Sequence, residues 1–240
     1  MKKVEILPDK SALVQRSLEL VLEHIQTAIA KRGRCTIALA GGSTPKPLYE
    51  SLATQSLPWD ALHIFWGDER YVPSDHPDSN ERMARMAWLD RVPIPPENIH
   101  PVPTDAPEPS QAADQYEAEI QDVFKTQPGD YPALDIVLLG MGDDGHTASL
   151  FPHTAALDVS DRLITVGNKD GQPRITATTS LINHARCVMF LVAGASKRPA
   201  LAQVFAPEGD ATAYPSRLIR PQGQLWWLLD AEAGQDVQGL

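Results

Sequence analysis

Leu134-Asp135-Ile136-Val137-Leu138-Leu139-Gly140-Met141-Gly142-Asp143-Asp144-Gly145-His146 is the stretch that sets the fold. Its first six residues form a near-continuous apolar run, the pattern of a strand buried on both faces, and a glycine-rich turn follows at once. Four other runs have the same character: Thr36-Ile37-Ala38-Leu39-Ala40, His63-Ile64-Phe65-Trp66, Val188-Met189-Phe190-Leu191-Val192 and Leu225-Trp226-Trp227-Leu228-Leu229. Helical periodicity fills the gaps. Across residues 11–30, Leu13, Val14, Leu18, Val21, Leu22, Ile25 and Ile29 recur every three or four positions, with Ser11 placed to cap the helix and Gly33 to end it. Shorter helices are expected over 45–52, 79–88, 110–124 and 196–205. Buried strands alternating with helices predict an α/β fold: a three-layer, Rossmann-like arrangement with a mainly parallel sheet and helices on both faces.

Composition narrows the function. The chain has 240 residues, 42% hydrophobic and 22% charged, which excludes intrinsic disorder and predicts one domain spanning 1–240. A net charge of −10 disfavours nucleic acid and anionic membrane surfaces as partners. The amino-terminal Met1-Lys2-Lys3-Val4-Glu5 lacks a signal-like apolar run, and no run approaches the roughly 20 residues of a membrane span. A cytoplasmic protein is expected, with Cys35 and Cys187 as buried thiols. Prolines cluster at Pro93, Pro95, Pro96, Pro101, Pro103, Pro107 and Pro109, and are best placed in a surface connection between layers rather than a domain linker.

Three turns carry candidate chemistry, each following a strand. In Gly41-Gly42-Ser43-Thr44-Pro45, glycines permit close backbone approach, hydroxyls donate hydrogen bonds and Pro45 suits a first helical turn; the segment is either an anion cradle or a tight capped turn. In Gly140-Met141-Gly142-Asp143-Asp144-Gly145-His146, the G-x-G-x-x-G spacing suggests a dinucleotide site. Pro152 interrupts the helix that site needs, and no strand ending in an acid lies about 20 residues on. What remains is His146 beyond a central strand with Asp144 two residues before it. Histidine, ordinarily titrating near 6.5, is a general base at neutral pH, although a backbone-bonded capping histidine fits the same turn. In Asp68-Glu69-Arg70-Tyr71, Arg70 could fork onto a phosphate or oxyanion, or pair with Asp68 and Glu69. Lys169, Arg174, Lys197 and Arg198 supply further cations in later loops. No metal-ligand spacing and no G-x-S-x-G elbow is present in the sequence.

Taken together and in this order, these segments resemble the 6-phosphogluconolactonase family of the glucosamine-6-phosphate isomerase superfamily. The resemblance rests on the 41–45 turn, Asp68-Glu69-Arg70-Tyr71-Val72-Pro73 with Ser79-Asn80, residues 140–152, the Arg174-Ile175-Thr176 strand leading to Ile182-Asn183, and Gly194-Ala195-Ser196-Lys197. Two places depart from the family pattern: His153 stands where glycine is usual, and residues 167–173 replace a proline-rich stretch.

The resemblance implies hydrolysis of 6-phospho-D-glucono-1,5-lactone to 6-phosphogluconate in the pentose phosphate pathway, without cofactor or metal, by a monomer or weak homodimer. On this basis His146 is expected to be the base, Asp144 its orienting partner and Arg70 the oxyanion stabiliser. Gly41, Gly42, Ser43, Thr44, Asp68, Gly142, Arg174 and Lys197 are expected to hold the sugar phosphate. The related glucosamine-6-phosphate deaminases differ at two places. They have Asp-Glu-Tyr at the position of Asp68-Glu69-Arg70, and a catalytic glutamate where this chain has Phe151. A non-catalytic sugar-phosphate sensor would normally carry a basic recognition helix, and the first 33 residues offer none. If the lactonase site is correct, a local positive basin near His146 must exist in an otherwise acidic protein.

Overall fold

The structure, a computed structural model, describes residues 2–127 and 129–237. In chain order its elements are β1 (Lys2–Leu7), α1 (Lys10–Arg32), β2 (Cys35–Leu39), α2 (Lys46–Leu52), β3 (Leu62–Trp66), β4 (Asp68–Arg70), α3 (Asn80–Ala87) and α4 (Pro109–Phe124). Then come β5 (Ile136–Leu139), β6 (Ile164–Lys169), β7 (Gln172–Ala177), α5 (Thr179–Asn183), β8 (Cys187–Val192), α6 (Arg198–Phe205), β9 (Gln224–Asp230) and α7 (Ala231–Gly234). Six strands form a sheet in the order β1-β9-β8-β5-β2-β3, with every neighbouring pair parallel. All five apolar runs are members of it, and β2, β5 and β8 are buried throughout. The expected α/β class with a mainly parallel sheet is the observed one.

Two features lie beyond what the apolar runs signalled. β1 adds an edge strand beside β9, and β4, β7 and β6 make a separate antiparallel sheet of three strands. β1, β6 and β7 are partly exposed and carry charged residues, and β4, though mostly buried, is Asp68-Glu69-Arg70, so none of them reads as an apolar run. The cap of α1 also differs from expectation. Asp9, not Ser11, accepts the amide of Ala12 at 2.8 Å, because β1 ends at Leu7 and the chain turns into the helix two residues sooner. Gly33 ends α1 as expected, left-handed at φ +74°, with its amide on the Ile29 carbonyl. Both cysteines are buried. No helix among the described residues is long and apolar enough to cross a membrane.

Strand order places the functional end. From β2 the chain moves outward to β3, whereas β5 lies on the other side of β2 and leads away to β8 and β9. Right-handed crossovers in opposite directions put their helices on opposite faces and leave a crevice where the direction reverses, beyond the carboxyl ends of β2 and β5.

Two tyrosines finish the strand ends there. The Tyr49 hydroxyl donates to the Ala40 carbonyl and accepts the Ala40 amide, at 2.8 and 2.9 Å. Tyr116, from α4, does the same for Trp66, at 3.1 and 2.8 Å. Each hydroxyl acts as a one-residue strand partner, satisfying peptide groups that the sheet leaves over. Tyr116→Phe removes that partner at a buried site. We expect a loss of roughly 1–3 kcal/mol in urea unfolding, with unchanged secondary structure by circular dichroism.

Candidate active site

The turn after β2 is built for close approach. Gly42 is left-handed at φ +98°, and a side chain at Gly41 would collide with Asn80, whose Oδ1 lies 1.9 Å from the ideal Cβ position. The Asn80 side-chain amide in turn donates to the Asp68 carbonyl at 2.9 Å. α2 starts differently from expectation. Pro45 is its N-cap, with Pro47 in the first turn, and no side chain caps it. Among the described residues the Ser43 and Thr44 hydroxyls therefore have no protein partner, so they are free to donate to a ligand.

After β5 the chain closes a small loop: the Gly142 amide donates to the His146 carbonyl and the Gly145 amide to the Gly142 carbonyl. Within it the Asp144 Oδ1 accepts both the backbone amide of His146, at 3.0 Å, and its ring Nδ1, at 2.5 Å. A carboxylate on Nδ1 fixes the tautomer with Nε2 as the basic nitrogen. Burial works to raise the Asp144 carboxyl's pKa, but the two hydrogen bonds from His146 outweigh it and hold the group at about 2. The stabilising contribution of this carboxylate is thus complete above its usual 3.8 and is lost as pH falls through about 2. The His146 ring packs on Phe151 with centroids 4.4 Å apart.

The small sheet supplies the opposite wall. Glu69 does not neutralise Arg70; its buried carboxylate accepts the amides of Arg70, Asn80 and Glu81 and the Ser79 hydroxyl, which seats it at the start of α3. Burial raises the Glu69 pKa against those bonds. Asp68 receives the Ser149 hydroxyl at 2.7 Å, and it too leaves Arg70 unpaired. Arg70 and Arg174 are direct register partners across β4 and β7, hence on one face of that sheet. Among the described residues neither guanidinium has a carboxylate within ion-pair distance, and the buried Arg70 Nε has no acceptor. Burial first, and the Arg70 charge second, lower the Arg174 pKa. Phe151 lies between this wall and His146, with the Arg174 guanidinium 6.0 Å and the Lys169 ammonium 5.8 Å from its ring.

A cleft of about 320 Å³ opens between these walls at the reversal point of the sheet. Gly41, Gly42, Ser43, Thr44, Asp68, Arg70, Gly142, His146, Arg174 and Lys197 all line it, and Asp144 stands behind His146. Lys197 reaches the cleft while paired with Asp143 at 2.6 Å, the bond that chiefly lowers the Asp143 pKa. Lys169 lines the cleft; Arg198 instead donates to the Glu232 carbonyl. Asn80, Ser149 and Phe151 are the neighbours that the motif roles left out. Asn80 and Ser149 gave little signal because each acts on another site residue through contacts between segments far apart in the chain, whereas Phe151 stood out only by comparison with the deaminases.

The sequence profile described as "Glucosamine-6-phosphate isomerases/6-phosphogluconolactonase" matches residues 8–227. The chain belongs to this family. Among its relatives, the 6-phosphogluconolactonase of a Nostoc species is 67% identical over 236 residues, 98% of each chain, and that of a Synechocystis species is 62% identical over the same span. The solved 6-phosphogluconolactonase from Trypanosoma cruzi superposes with a TM-score of 0.90 at 32% identity, covering 99% of this chain and 97% of its own. The span matched to the glucosamine-6-phosphate isomerase/6-phosphogluconolactonase family includes every cleft residue named above.

Gly142 gives a direct test of the geometry. An added Cβ there would lie 2.1 Å from the His146 Nδ1 and 2.6 Å from the Asp144 Oδ1. In Gly142→Ala the imidazole must move, and displacements near 1 Å cost about 10² in rate. We expect kcat to fall by about that factor while the melting temperature changes little, as read by steady-state turnover and thermal unfolding.

Proposed function

We propose that this enzyme hydrolyses 6-phospho-D-glucono-1,5-lactone to 6-phosphogluconate with water activated by His146. The observation that carries this reading is the pairing, in one cleft, of a carboxylate-oriented imidazole with two guanidiniums that have no counter-ion among the described residues. The first group makes a nucleophile from water; the second leaves a place for an anion.

In this scheme the 41–44 turn, Arg174 and Lys197 hold the 6-phosphate, and binding energy from that remote group positions C1 beside His146. Nε2 takes a proton from water as the oxygen bonds to C1. Arg70, whose guanidinium lines the cleft, donates to the oxyanion that develops there. The C1–O5 bond then breaks, and the imidazolium returns its proton to O5. Water is the only co-reactant. The net products are the open-chain acid and, at neutral pH, one released proton. Deaminase chemistry is disfavoured by Phe151, which stands against His146 and has no group to transfer a proton during ring opening.

The decisive assay supplies phosphogluconolactone and glucosamine 6-phosphate separately and follows acid and ammonia release above the spontaneous background. Acid from the first and no ammonia from the second is expected. Ammonia release, or no catalysis of either, overturns the proposal. His146→Asn should lower lactone turnover by roughly 10²–10⁴. Arg174→Ala and Arg70→Ala separate the two cationic roles. Loss of a charge-assisted bond corresponds to about 1.5–3 kcal/mol. Arg174→Ala should therefore cost roughly 10- to 150-fold in kcat/KM on the phosphorylated lactone and almost nothing on unphosphorylated gluconolactone. Arg70→Ala should lower kcat on both, and equal effects on the two lactones from both variants would refute this division.

A further inference from the structure

The loop that carries His146 has little regular structure of its own. Between β5 and β6 it contains left-handed residues at Gly145 (φ +77°), Ala148 (+47°) and His153 (+57°), and Pro152 blocks a helix. Something else must hold it. A distant segment, residues 210–216, does so at two points.

At the first point, Ser216, only 1% exposed, donates from both its amide (2.9 Å) and its hydroxyl (2.8 Å) to the Gly145 carbonyl. The Tyr214 ring covers the same glycine so closely that a side chain on Gly145 would lie 2.8 Å from Tyr214 Cδ1. At the second point, the Thr212 carbonyl accepts the amide of His153, a residue held in the left-handed region at φ +57°. The segment is itself anchored. Asp210 Oδ1 accepts from the Thr212 amide and hydroxyl and from the Ala213 amide. Arg217 fastens its other end to the carbonyls of Gln203, Val204 and Ala206 at the end of α6.

The Gly145 carbonyl and the His146 amide share one peptide plane. Ser216 ties the carbonyl; Asp144 Oδ1, which also holds the His146 ring, ties the amide. Rotation of that plane would pull the amide off the carboxylate that orients the imidazole. We infer that Ser216 is a positioning residue for His146 and that residues 210–216 clamp the catalytic loop, an inference that rests on the lactonase mechanism proposed above.

Ser216→Ala removes one of the two donors and leaves the backbone donor in place. Three quantities are measured on the full chain: kcat and KM on phosphogluconolactone, the downfield proton resonance of the imidazole Nδ1–H, and the melting temperature. A loosened imidazole predicts a kcat about tenfold lower, a KM within twofold of the parent, and an Nδ1–H resonance that shifts or broadens. Ser216→Cys, close in volume but a weak donor, should follow the alanine variant. A kcat within twofold of the parent with an unmoved resonance overturns the inference, whatever the melting temperature does. So does a rise in KM at constant kcat, which would place the effect at the phosphate end. The resonance needs no turnover. If the parent chain proves inactive on the lactone, the functional proposal fails, and the Ser216→Ala resonance still decides the clamp: movement supports it, an unchanged signal overturns it.

Discussion

Asp135, at the base of the sheet, joins the two strands on which the cleft depends. Its carboxylate is 5% exposed. Oδ2 accepts the Thr36 amide and hydroxyl at 2.9 and 3.1 Å, its own amide reaches back to Thr36, and Arg32 and Arg186 lie at 2.6 and 3.4 Å from Oδ1. A buried charge satisfied this fully locks β2 against β5 in one register; left with fewer partners it would cost several kcal/mol. The consequence appears at the opposite end of the same strands. A one-residue slip there would reverse the side-chain faces and misalign the 41–44 turn with His146, so the pairing at Asp135 and Thr36 fixes the spacing of the cleft walls.

Charge placement follows a related logic. A protein with a net charge of −10 has ample carboxylate with which to neutralise Arg70 and Arg174, and the two nearest in sequence are used elsewhere. Glu69 is occupied by the start of α3 and Asp68 by Ser149. Antiparallel pairing meanwhile holds the guanidiniums side by side, an arrangement that destabilises the free protein. Local rules of this kind are characteristically broken at functional sites. The overall negative charge and the local positive wall are compatible, because the first acts at long range and the second only within the cleft.

Legibility in the sequence tracked burial. Five of the six strands of the main sheet were readable because burial demands unbroken apolar runs, as in Val188-Met189-Phe190-Leu191-Val192. β1 was not, since its Lys2, Lys3 and Glu5 face water at a sheet edge. Of the small sheet only the Arg174-Ile175-Thr176 strand was anticipated, and that through the family resemblance: Arg70, Lys169 and Arg174, the cations it presents to the cleft, occupy positions where apolar residues would have announced strands. The motif residues themselves were legible because their glycines and charges have no use in a core, although Asp68, Arg70 and Arg174, read as turn or loop residues, lie in strands β4 and β7. Their supports were not. Asn80 packs against Gly41, Ser149 against Asp68 and Ser216 against Gly145 across separations that no local pattern encodes.

Phe151 ties these threads together. It is 6% exposed and touches the base on one side and the cationic wall on the other. An apolar ring there fills space that water would otherwise occupy between His146 and Arg174 and so lowers the local dielectric between them. A glutamate at the same position would bring a second acid or base to the imidazole and would also offer Arg174 or Lys169 the counter-ion that the cleft withholds. One side chain thus bears on two properties at once: which acid or base groups stand beside the imidazole, and whether a carboxylate reaches the arginine wall.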